Sequence, residues 1–248
     1  MTNLSRLDWI RPLAFGMLLL TLSAASCSHS QPRPPIVEQM ANTFGLDSWG
    51  QIDGIRYTFN AEFPTAKLSR SWEWDPKTDT VSYEGKDKQG QPVKATYQRS
   101  KLSSQSDAVK NEIEPAFVND EYWLVIPFHF VWDRSATVTD EGMQKLPLGD
   151  GSGQRIVMKY PMELGGYTPG DTWELYVGDD KRVEDMVYRR GGTKKPSLVI
   201  VTWEGYKKAG PLLISTDHRG TADGNPLRIY FSDVAVKVAG SETWMNAQ

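Results

Sequence analysis

Ile55, Tyr57, Phe59, Ala61 and Phe63 alternate with Arg56, Thr58, Asn60 and Glu62. A two-residue period puts one set of side chains on a buried face and the other in water, so it predicts a half-buried strand. Leu68, Trp72 and Trp74 continue the rhythm against Ser69, Ser71, Glu73 and Asp75, with Arg70 interrupting the apolar face. The turn formers of 75–79 lead to Val81, Tyr83 and Gly85, and a second turn at 89–91 leads to Val93, Ala95 and Tyr97. Short polar turns between alternating runs predict a four-stranded antiparallel meander. Ahead of it, Ile36, Val37, Met40, Ala41 and Phe44 share one face at helical spacing. Pro34 and Pro35 suit the start of that helix and Gly45 its end.

The middle of the chain reads differently. Ser104 or Ser106 can cap a helix whose face carries Val109, Ile113, Ala116 and Phe117, with Pro115 disturbing its end. Tyr122 to Trp132 is almost wholly apolar, and such a run fits a buried helix and a buried strand equally. Pro127 predicts a break in either. Alternation then returns over 155–160, 173–177, 183–189, 198–203, 211–218 and 227–238. Residues 178–181 have hairpin-turn composition, and Leu198-Val199-Ile200-Val201 is apolar on both faces. The expected fold is mainly β (α+β): one curved antiparallel sheet of about ten strands forming an incomplete barrel. The N-terminal helix and the mid-chain helices would cover its concave face.

The start of the chain carries a separate signal. Arg6 and Arg11 precede an apolar stretch, Leu13 to Leu22, which is followed by small residues and Cys27, the one cysteine in 248 residues. The stretch is short for a spanning helix, which needs about 20 residues. A charged, apolar and small-residue sequence of this order resembles a bacterial lipoprotein signal ending in a lipobox, with Ala24 where leucine is commonest. The resemblance implies cleavage before Cys27, acylation of Cys27, and membrane attachment through the N-terminal acyl chains. Ser28 follows the cysteine where aspartate would mark retention, which implies the outer membrane, facing the periplasm. The expected layout is a signal peptide at 1–26, a flexible tether at 27–35, a half-barrel domain at 36–240 and a tail at 241–248. Removing 1–26 leaves 222 residues, sufficient for one domain with a substantial core, and takes the formal charge from −3 to −4. A mildly acidic chain without a basic run argues against nucleic acid as a partner.

Reactive groups are few. His29 lies in the tether, while His129 sits in the apolar run and reads as a hydrogen-bonded core imidazole. With His218 distant in sequence, the histidines make a weak metal signal. Glu73, Asp75 and Glu84 can approach one another across a hairpin, although carboxylates on an outward face ordinarily meet only water. The glycine-rich 149–153 segment lacks the following lysine of a phosphate cradle and reads as a β connection. Arg189 and Arg190 end a strand, where exposed charge discourages edge pairing.

Nine tryptophans and ten tyrosines are the louder feature. They fill the gap between sheet and helices, or they line a greasy hollow with Tyr122 to Trp132 as its lid. The order of elements, together with Trp72-Glu73-Trp74-Asp75, Trp173 to Val177 running into Asp179-Asp180, and Ile229 to Val234, resembles the LolA/LolB-like lipoprotein-carrier superfamily. That superfamily has a half β-barrel and also includes mycobacterial lipid-carrier lipoproteins. The resemblance implies an apolar groove between sheet and helices that receives a lipid, an acyl chain or a lipoprotein's acyl groups. It implies no cofactor, no metal and no catalytic residue. The candidate lining is Tyr57, Phe59, Trp72, Trp74, Trp123, Phe128, Phe130 and Trp173. A protein-interaction accessory subunit without a ligand cavity is the alternative, and an envelope hydrolase using converging carboxylates is a third reading.

Overall fold

The computed structural model describes residues 32–163, 166–193 and 195–248. Cys27, the signal sequence and most of the tether lie outside the described residues. The chain begins with helix α1 (Pro35–Thr43), which buries Ile36, Val37, Met40 and Ala41. Gly45 closes it at φ +98°, the left-handed conformation that glycine adopts without steric cost. A 3-10 turn, Leu46–Gln51, then leads into the meander β1 (Ile52–Phe63), β2 (Ala66–Asp75), β3 (Thr80–Lys86) and β4 (Pro92–Gln98). Most of the inward set read from alternation is buried, with Ile55, Tyr57, Phe59, Trp72, Trp74, Val81 and Tyr97 all below 9 % exposure, but Phe63 and Leu68 at the β1–β2 turn are exposed and Val93 and Ala95 are half-buried.

A π turn, Val109–Ile113, runs directly into α2 (Glu114–Trp132). Pro115 stands where the π turn passes into α2, so the disturbance expected there falls at the change of helical geometry inside a continuous helical run. The apolar run is therefore the body of a helix. It shows no period because its surroundings bury it on nearly every side. Pro127 does bend it. Without an N–H for the Trp123 carbonyl, the chain leaves helical geometry at Val125 (φ −127°, ψ 23°).

The second half supplies β5 (Thr137–Lys145), β6 (Ser152–Lys159), β7 (Thr172–Val177), β8 (Val183–Arg190) and β9 (Ser197–Thr202). The ribbon β10 (Lys207–Ala209) and β11 (Leu212–Ile214) follows, then β12 (Asp217–Ala222), β13 (Asn225–Val238) and β14 (Met245–Asn246). The sheet runs β4-β3-β2-β1-β13-β12-β9-β8-β7-β6-β5, antiparallel throughout, with β14 added beside β13. It is one large curved sheet that does not close into a barrel, and α2 lies against its concave face. The expectation of about ten strands missed β5 and the short β10 and β14, and it joined β11 to β12. The join fails at Ser215 and Thr216, whose hydroxyls donate to the carbonyls of Glu204 and Gly205 and turn the chain out of the sheet.

Curvature has identifiable sources. Across β1 and β13, Arg56 pairs with Ala235 and Thr58 with Ser232, so two residues of β13 oppose one of β1. Asp233 in that bulge takes φ +55° and accepts a hydrogen bond from Thr58. A bulge bends its strand and increases its twist.

Candidate ligand-binding site

The contact between α2 and the sheet is polar as well as aromatic. Asp120, fully buried, accepts from Arg70 Nε at 2.7 Å and Trp72 Nε1 at 2.8 Å, with a second Arg70 contact completing a fork. Arg70 is the residue that broke the apolar alternation of β2. It points inward because Asp120 is there. Burial pushes the Asp120 carboxyl up, and Arg70 pulls against that rise. Glu114, also buried, accepts from Tyr97 OH at 2.6 Å and Arg99 Nε at 3.0 Å. These pairs tie the first half of α2 to β2 and to the end of β4.

Beyond the bend, His129 is held between two acids. Its Nε2 donates to both Glu121 oxygens at 3.0 Å and its Nδ1 to Asp133 at 3.0 Å, while Tyr122 stacks on the ring at 3.8 Å. Burial, the largest influence, opposes the charge, but the two carboxylates override it and raise His129 to about 9. Tyr160 and Tyr122 donate to the same Asp133 oxygen. Asp133 is held below its ordinary value: burial pushes it up, and His129 and the tyrosines outweigh that. An imidazolium with both nitrogens engaged cannot serve as a general base at neutral pH. The cluster holds α2 in place, as the sequence reading of His129 expected.

His218 is the opposite case. It is fully buried against Trp203, 3.9 Å between ring centroids, and burial lowers it to about 3, so it is neutral. Neither ring nitrogen has a hydrogen-bond partner among the described residues, and the same holds for Trp173 Nε1, Trp203 Nε1 and Tyr57 OH. Glu73, Asp75 and Glu84 do not converge. Glu84 pairs with Lys94 at 2.8 Å, and Asp75 accepts from the backbone of Lys77 and Thr78 in the β2–β3 turn. The glycine-rich 149–153 segment belongs to the β5–β6 connection, and Arg189 pairs with Glu174 at 2.7 Å.

Most of the eight aromatic candidates build the core. Tyr57 and Phe59 each stand 5.8 Å from Phe231, and Trp72 and Trp74 meet Phe117 at 5.4 and 5.6 Å. Phe128 packs on Trp49 at 5.4 Å, and Phe130 is fully buried. Trp123 and Trp173 differ. Although both are buried, they wall a cleft of about 360 Å³ between α2 and strands β7 and β8, completed by Val118, Tyr122 and Tyr188, with Arg190 at its edge. A smaller hollow of about 240 Å³ adjoins it, sharing Tyr122 and reaching Asp133 and Tyr160.

A second cleft, about 450 Å³, lies on the other flank of α2, and its exposed lining is mostly apolar. Leu68, Tyr83 and Val93 come from β2, β3 and β4, and Ile113 and Ala116 from the start of the helix. Lys88 spans it from the β3–β4 turn to Glu112 at 2.7 Å. None of these residues stood among the sequence candidates. Leu68 and Val93 did sit at the outer ends of their alternating runs, where inward side chains pass beyond the helix. The outer sheet face has a concavity of about 460 Å³ as well, but its hydroxyls pair with one another, Thr58 with Ser71 and Ser82 with Thr96.

The molecule is thus a half-barrel with a bent helix in its hollow and a cleft on each side of that helix. Among solved structures it is similar to a DUF1329 family protein from Desulfovibrio piger, 11 % identical, with a TM-score of 0.44 over 84 % of this chain and 92 % of that one. It is also similar to the Mycobacterium tuberculosis lipoprotein LppX, 9 % identical, with a TM-score of 0.31 over 81 % of this chain and 95 % of that one. No family model and no curated protein matches the sequence.

Proposed function

We propose that the protein is a bacterial envelope lipoprotein that binds an amphiphile non-covalently, lodging its acyl chain in a cleft beside α2. The supporting observation is the apolar cleft between α2 and β2–β4. Its volume of about 450 Å³ lies within the usual range for small-ligand sites, and cations stand at its edge. Each buried methylene contributes about 0.8 kcal/mol, so about six give a gross gain near 5 kcal/mol, enough for useful affinity. Trp123 and Trp173 wall the alternative seat across the helix. Cys27 carries the lipid anchor in this reading, and the protein faces the periplasm from the outer membrane.

Native mass spectrometry of protein extracted from cells tests it. Co-purified lipid is expected on the wild type and is lost from Ala116→Trp, which fills the β2–β4 cleft from a half-buried helix position. A wild type that never carries lipid, with the same mass as the variant after correction for the substitution, would overturn the reading.

A further inference from the structure

Strand directions divide the rim of the half-barrel into two ends. The β1–β2, β3–β4, β6–β7, β8–β9 and β12–β13 connections fall at one end, together with the passage from α2 into β5. The β2–β3, β5–β6 and β7–β8 turns fall at the other.

Three unrelated features meet at the first end. The described chain starts there, where Arg33 donates to the carbonyls of Asp133 at 2.6 Å and Ala136 at 2.8 Å. Four exposed large apolar side chains lie there: Phe63 and Leu68 beside the β1–β2 turn, Met162 and Tyr167 in the β6–β7 connection, between 38 % and 54 % exposed. The cleft beside β2–β4 also reaches this end, through Leu68, Lys88 and Val93. The fifth such side chain, Met143, is on edge strand β5.

Charge at this end favours an anionic surface. Lys67, Lys86, Lys88, Arg190 and Lys195 are exposed on or beside these turns. Lys67 pairs with Glu62 at 3.0 Å and Lys88 with Glu112 at 2.7 Å. Of the acids in the same turns, Asp171 is buried and accepts from the backbone N–H of Gly191, while the more exposed Asp87 and Asp223 accept from the backbone N–H of Gln89 and Gln91 and of Leu198. An interfacial surface combines apolar side chains, which enter the headgroup boundary, with lysine and arginine, each worth about 1 kcal/mol near anionic lipid.

We infer that this rim docks directly on an anionic lipid bilayer, apart from any acyl anchor, and presents the cleft mouth to the lipid. The inference rests on the envelope reading only in placing a membrane beside the protein. Hydrogen exchange of the full chain on vesicles of phosphatidylethanolamine and phosphatidylglycerol tests it, with Met162→Glu/Tyr167→Glu as the comparison. Both substituted residues are exposed, so the fold is retained. The unmutated rim turns at 64–65, 87–91 and 223–224 are expected to exchange at least tenfold more slowly in the wild type, and 0.5 M salt narrows the difference. The opposite turns at 76–79 and 178–182 exchange equally in both proteins. Equal exchange of the rim turns in the two proteins, or protection of both ends alike, would overturn docking. Neither substituted residue lines the β2–β4 cleft, so lipid co-purified with the double variant reports on that cleft separately and the two readings fail independently.

Discussion

Raising the pH from 6.5 to 9 is expected to weaken the fold through one residue. His129 carries a folded-state value of about 9 against 6.5 for the free side chain. A group raised on folding stabilises fully below its unfolded value, and that stability fades as the pH climbs through the folded value. The 6.5-to-9 interval corresponds to roughly 3 kcal/mol, a sizeable part of the 5–15 kcal/mol typical of a domain. Few other groups confuse the window. Asp185, which burial lifts to about 6, titrates below it, and the tyrosines ionise from 10.0 upward in the unfolded chain and higher still when folded. Urea unfolding followed by tryptophan fluorescence at pH 6, 7, 8 and 9 reads the slope directly. Glu121→Gln removes one carboxylate, so the fall is expected to move to lower pH and shrink. His129→Gln abolishes it and leaves the buried Glu121 carboxylate without its cation beside half-buried Asp133, a further cost of about 3–5 kcal/mol. A flat wild-type profile over this window, or an unchanged slope in His129→Gln, would refute the buried imidazolium.

Other substitutions probe different parts of the construction. Asp120→Ala strands Arg70 and the Trp72 indole N–H, and is expected to lower the urea-derived stability by about 3–5 kcal/mol, whereas Glu84→Ala on the outer face changes it by less than about 0.5 kcal/mol. Gly220→Ala places a Cβ 1.9 Å from the Ile200 carbonyl oxygen and forces β12 from β9. A loss of about 2 kcal/mol or more should appear in calorimetry as a melting point lower by about 4–8 °C. Cys27→Ser should move the protein from the membrane fraction to the soluble periplasmic fraction, and the intact mass should lose the acyl groups. A variant that stays with the membrane at high salt would count against a lipid-anchored Cys27.

How much of this could be read from the sequence depended on how each side chain meets its neighbours. The period-two pattern of β1 was plain because one face meets α2 and the other meets water. Strand β5 was invisible for the opposite reason. It is an edge strand with Val138 as its one buried residue, so it has no apolar face to announce. Helix α2 gave no period because it touches protein nearly all round, and Pro127 was legible as a bend while the type of element was not. Arg70 was read as an interruption, when it marked the place where the helix supplies Asp120. No local pattern could foretell that pairing, since its partners lie 50 positions apart.

The aromatic excess resolves along the same lines. A strongly curved sheet and a bent helix do not nest smoothly, and large flat rings at varied tilts fill the wedge between them. Trp49 alone meets Trp74, Phe128 and Trp132 within 5.5 Å. Filling is therefore most complete where sequence reasoning placed the hollow. Space remains on the two flanks of the helix, where strand ends carry Leu68 and Val93 past its cover and where Tyr122, Trp123 and Trp173 meet at its turn toward β7. The apolar residues that line the remaining space are then aliphatic and peripheral as well as aromatic. Their exposure falls at the end of the half-barrel where the described chain begins, and a surface covering them there would cover both clefts as well.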